Sequence, residues 1–79
     1  MTNEQLTAAI AMRREEVEAY QINITNYTMA IELIDAMPEN ERAENAEFRK
    51  QLAALLVTEK REQNKAKIML TVLERQLAA

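Results

Sequence analysis

Apolar side chains return every third or fourth residue, without a break, across the first half of this 79-residue chain. Leu6, Ile10, Arg13, Val17, Tyr20, Ile24, Tyr27, Ile31 and Ile34 are separated by alternating steps of four and three, and eight of the nine are hydrophobic. An α-helix completes a turn in about 3.6 residues, so this row forms one stripe along one side of a rod, the seam of a helix that packs over its whole length. A strand would need a period of two. The spacing predicts a helix from about residue 3 to about residue 36. Thr2 followed by Gln5 forms a capping box at its start, and Glu4 suits the positive end of the helix dipole. The segment Tyr20 to Ile31 is rich in β-branched residues and asparagine, which favour helix less. A period sustained over some thirty residues outweighs a local preference of a few tenths of a kcal/mol per residue.

Glycine is absent and Pro38 is the only proline. The tight turns of an all-β chain therefore lack their usual residues, whereas a helical chain needs none of them. Pro38 biases Met37 away from helical geometry and places a turn at about residues 37–44. Asn40 and Asn45 are candidate N-caps for a second helix. That helix is expected over about residues 44–78, with its seam at Phe48, Leu52, Leu55, Glu59, Glu62, Ala66, Met69 and Leu73. Leu56, Leu70 and Leu77 widen that stripe to three positions in seven, the width of a bundle helix. Thr58 to Lys67 is polar on nearly every side, so the hairpin should have apolar ends and a wet waist.

The expected fold is all-α: a single domain over residues 1–79, an antiparallel, coiled-coil-like hairpin of two helices. Such a hairpin leaves apolar surface over. The first helix carries a second stripe at Met12, Ala19, Ile22, Met29, Leu33 and Ala36, and Ile68, Met69, Leu70, Val72, Leu73 and Leu77 nearly encircle the end of the second. One partner helix cannot cover both, and exposed patches of this size favour association. A chain this short usually needs a staple or a partner. With no cysteine and no histidine, disulfides, thiolate zinc sites and histidine metal clusters are excluded as staples. A homodimer forming a four-helix bundle through these residues is the expectation, with docking of a different protein as the competing one.

Charge is unevenly spread. Residues 1–37 sum to −4, residues 38–47 to −3 and residues 48–79 to +4. An acidic first helix beside a basic second one suits a hairpin, although exposed pairs each contribute little.

No glycine-rich phosphate loop, nucleophile–base pair or metal-ligand spacing occurs, so neither enzymatic activity, nor a cofactor, nor a small-molecule substrate is expected. Glu15, Glu16, Glu18, Glu59 and Glu62 can meet near the waist, but a solvated face or a salt-bridge set with Arg13, Arg61 and Lys65 explains them better than a cation site. Arg13, on the seam, is read as passing its guanidinium out to a glutamate, and Tyr20 and Tyr27 as core rings with hydroxyls at the rim. Asn23-Ile24-Thr25 and Asn26-Tyr27-Thr28 match the glycosylation pattern but fall inside a helix. Lys60, Arg61, Lys65 and Lys67 form the only basic cluster, the candidate contact if nucleic acid were the partner. The acidic half raises the converse idea of a nucleic-acid mimic that blocks a DNA-binding enzyme, weak at a net charge of −3.

Residues 1–14 hold no apolar run behind a positive start, and no stretch reaches the roughly 20 apolar residues that span a bilayer, so a cytoplasmic setting without membrane contact is expected. The functional expectation is a protein–protein interaction module, a dimeric hairpin that binds or modulates a partner. Size alone suggests an accessory protein of a phage or mobile element.

Overall fold

Pro38 divides the chain into two rods that fold back on each other. In the computed structural model, which describes residues 1–79, α1 spans Asn3–Asp35, α2 spans Glu39–Glu44 and α3 spans Ala46–Ala78. There are no strands, and the molecule measures 58 × 14 × 14 Å. The long helices run antiparallel. Polar pairs keep one register along the rod: Arg14 with Glu74, Gln21 with Gln63, Asn23 with Glu59, and Asp35 with Arg49.

The start of α1 has the expected chemistry. The Gln5 amide donates to the Thr2 hydroxyl at 3.1 Å, and the Thr2 amide donates to the Gln5 side chain at 2.9 Å. The β-branched middle of α1 stays helical throughout, because Ile24 and its seam neighbours are held against α3. At the far end the chain leaves the helix after Asp35, and Pro38 takes an extended ψ of 154°.

The connection differs from expectation. Residues 39–44 form the short helix α2 instead of an irregular turn. Asn45 stands at the N-cap position of α3, its carbonyl accepting from the Arg49 amide at 2.9 Å, but its side chain makes no capping bond there. Asn40 lies inside α2, and the Asn45 side chain donates back to the Glu41 carbonyl at 2.9 Å, closing α2. Asn45 thus closes one helix with its side chain and begins the next with its backbone carbonyl.

All nine residues of the expected α1 seam are buried or half-buried. On α3 the phase differs. The row that meets α1 is Arg49, Leu52, Leu56, Glu59, Gln63, Ala66, Leu70 and Leu73, so the expected seam is right at Leu52, Glu59, Ala66 and Leu73 and displaced between them. Phe48, Leu55 and Met69 are exposed. The physical reason lies at the waist. Turning the expected row inward would press Glu62 into the interface, and an ionised carboxylate costs far more to bury than an amide. Instead Gln63 is buried, its Nε2 donating to the Val17 carbonyl at 3.2 Å and to the Gln21 side chain at 3.0 Å. No buried side-chain polar atom is left without a partner. The inward side of the waist is therefore closed and satisfied, while its outer sides stay in water.

Gln63 fixes phase as well as filling space. Gln63→Ala should lower unfolding stability by about 1–2 kcal/mol, since two hydrogen bonds and side-chain packing go together. Gln63→Leu should cost clearly less, because an apolar side chain can fill the same gap. Urea titration of both variants checks this ordering; equal losses would show that packing has no part in the role of Gln63.

Candidate interaction surfaces

Heptad geometry divides the outside of the hairpin into an outer side on each helix and two flanks that straddle the groove. On the first flank lie Arg13, Glu16 and Tyr20 of α1 with Glu62, Lys65 and Met69 of α3, which together line one shallow depression. Phe48 and Leu55 sit two heptads and one heptad before Glu62 on the same row, so they belong to this flank. Met12 adjoins Glu16 one turn earlier on α1, and Leu33 lies three heptads beyond Met12. These apolar residues and Val72 are exposed: Met12 at 64%, Leu33 at 66%, Phe48 at 52%, Leu55 at 45%, Met69 at 43% and Val72 at 42%.

The second flank has a different character. Its row on α1 is Thr7, Arg14, Gln21, Thr28 and Asp35, and its row on α3 is Ala53, Lys60, Lys67 and Glu74. No apolar side chain larger than alanine occurs in either row. Exposed Val57 and Leu77 border this flank, but its own rows are polar where those of the first flank carry Phe48, Leu55 and Met69.

The outer side of α1 continues the uncovered apolar stripe. Ile22 and Met29, each 61% exposed, point away from α3, with Ala19 and Ala36 beside them. Of the residues expected at an interface, Met12, Ala19, Ile22, Met29, Leu33, Ile68, Met69, Val72 and Leu77 are exposed. Leu73 and Leu70 are not free. Leu73 is buried against Leu6 and Ile10 of its own chain, and Leu70 packs on that cluster, because the true phase of α3 turns both toward α1. Sequence reading placed Phe48 and Leu55 in the intramolecular seam and so missed them as surface; their sevenfold spacing with Met69 was the available signal.

Only eight of 79 residues are buried, and none completely. The accessible surface is 5888 Å². A folded monomer of 9.1 kDa exposes about 4,900 Å² by size scaling. The excess, on the order of 1,000 Å², is comparable with the roughly 800 Å² that each partner contributes to a standard protein–protein interface.

Four ion pairs form within the chain. Arg13 reaches Glu16 at 2.9 Å, as expected for a seam arginine, and Lys65 reaches Glu62 at 3.1 Å. Glu59 accepts from Asn23. Glu15 and Glu18 are exposed and separate, Arg61 stays outside the waist network, and no three acidic side chains gather as a metal site would require. Lys60, Arg61, Lys65 and Lys67 are not brought to one face: at about 100° per residue they spread over roughly 160° of the helix. Tyr20 and Tyr27 are half-buried; Asn23 and Asn26 lie in mid-helix. No helix is long and apolar enough to cross a membrane.

The sequence matches no protein-family model, and searches for similar curated proteins and for similar solved structures gave no match. Only the surfaces bear on function.

One ion pair stands at the turn. Arg49 donates to both oxygens of Asp35, at 2.6 and 2.9 Å. These hydrogen bonds hold the Asp35 carboxyl below its ordinary pKa of 3.8, against an opposing effect of lost solvent, with the charges of Arg49 and Arg42 adding to the lowering. A lowered carboxyl contributes stability that is present above its ordinary value and disappears as pH falls through the lowered one. Asp35→Asn should therefore weaken the fold slightly at neutral pH and flatten the loss of stability below about pH 4. Thermal melts of both proteins across pH 3 to 7 give the comparison; parallel curves would remove the pair from the acid response.

Proposed function

We propose that the chain is a non-enzymatic protein–protein interaction module: a helical hairpin that pairs with a second copy into a four-helix bundle and presents the outer side of α1 to a partner protein. One observation carries this reading. The apolar stripe of Met12, Ile22, Met29 and Leu33 lies more than 60% exposed along α1. Monomeric proteins rarely keep so extended an apolar surface in water. The rod shape leaves surface in excess of a compact monomer, and an interface of standard size would remove a comparable area. Methionine on such a stripe suits adaptable contacts, since its unbranched side chain refits to differently shaped partners. A nucleic-acid reading has less support, because the four cations diverge around α3 and Lys65 is already paired.

The module reading predicts a molar mass of twice 9.1 kDa by light scattering and a melting temperature that rises with protein concentration. Leu33→Glu should shift the mass toward the monomer. Met29→Glu, farther around α1, should leave the dimer intact. A concentration-independent melt at monomer mass would end the proposal.

A further inference from the structure

Resting on the dimer reading, we infer that the flank bearing Phe48, Leu55 and Met69 is the face that meets the second copy, and that the two hairpins lie parallel, turn beside turn, with α1 of each across α3 of the other. The asymmetry between the flanks selects the face. The large apolar side chains on the two flank rows are all on one flank, in two patches separated by the polar waist. At the turn end Leu33 is level with Phe48, as the Asp35–Arg49 pair shows, and at the free end Met12 is level with Met69 and Val72. The waist charges on this flank are matched within the chain, Arg13 with Glu16 and Lys65 with Glu62, so the face carries no unbalanced charge into a self-contact. A self-contact on this face therefore leaves no charge buried without a partner, the costliest case.

Two closed arrangements bring this flank onto itself, because a two-fold axis can run along the rod or across it. With the axis across the rod, the hairpins are antiparallel and α1 lies on α1, α3 on α3. With the axis along the rod, the turns lie together and α1 lies on α3. Apolar patches meet apolar patches in both, so hydrophobic burial does not distinguish them. Charge does. Residues 1–37 carry −4 and residues 48–79 carry +4. Neighbouring helices in a bundle are about 8–10 Å apart, close to one Debye length at physiological salt, so the net charges of adjacent rods still act on each other. The parallel arrangement gives each long helix two oppositely charged neighbours, which outnumber the single like-charged contact it makes between the two acidic turns of −3 each. The other puts like on like twice. In the parallel bundle Leu33 of one copy packs near Phe48 of the other, and Met12 near Met69 and Val72. Ile22 and Met29 remain outside, free for a different partner.

The chain has no cysteine, so a single label site is clean. Ala43→Cys, on exposed α2, carries a spin label, and pulsed dipolar spectroscopy at low ionic strength reads the distance between the two turns. The parallel dimer gives a distance on the order of 20–30 Å, the width of a bundle. The antiparallel one puts the labels at opposite ends of a 58 Å rod. Face assignment is checked by Leu55→Glu, expected to be monomeric and still helical by circular dichroism, against Thr25→Glu on the opposite side, expected to remain dimeric. A monomeric parent chain overturns both this inference and the reading beneath it. A dimer with a long distance overturns the orientation alone, and a Leu55→Glu protein that still dimerises overturns the face.

Discussion

Each of two helices in contact can turn only about a third of its circumference toward the other, so a hairpin of long helices hides one stripe per rod and leaves the rest to water or to a partner. In this protein that limit decides almost everything. The interior is a single seam, its members few, and the helices spend their hydrophobicity on rows that the seam cannot accept. Which row of α3 faces inward is set at the waist, where an amide rather than a carboxylate is the polar group that can be enclosed. Gln63 enters and Glu62 stays at the edge. That one preference brings Leu56 and Leu70 toward α1 and leaves Phe48, Leu55 and Met69 exposed.

Charge and apolar surface divide the remaining work. The ion pairs are exposed and short in sequence or cross the groove at the ends, as with Arg14 and Glu74. Such pairs add little to stability. They do keep the register of the hairpin uniform, and the opposite net charges of α1 and α3 favour neighbours of unlike sign wherever helices gather. In the proposed dimer the apolar flank would supply the affinity, while charge would select the arrangement.

Much of this was legible in the sequence. The seam of α1 was readable residue by residue because one row there is apolar and its neighbours are not, and the capping box, the break at Pro38 and the Arg13–Glu16 pair obey rules acting over a few residues. The phase of α3 was not legible, since two adjacent rows are equally greasy at both ends and sequence alone gives no reason to prefer Leu56 and Leu70 to Leu55 and Met69. The choice depends on contacts across the groove, with Val17 and Gln21. The helical form of residues 39–44 was hidden for a related reason: its glutamates and asparagines suit a turn and a helix alike, and the return bond from Asn45 to Glu41 exists only once the corner has formed. The surface residues were half legible, with α1 read correctly and α3 inheriting the phase error.

Leu6, Ile10 and Leu73 form the only cluster of mutually packed buried side chains, and it stands at the end of the rod farthest from Pro38. Near the corner, joining the two arms of the hairpin closes a short loop; at Leu6 and Leu73 it closes nearly the whole chain, and that entropy grows with loop length. A zipper that starts at the bend would fray where its tips are loose. Here the most apolar clasp holds the tips of the two long helices together, at the place where thermal opening would otherwise begin.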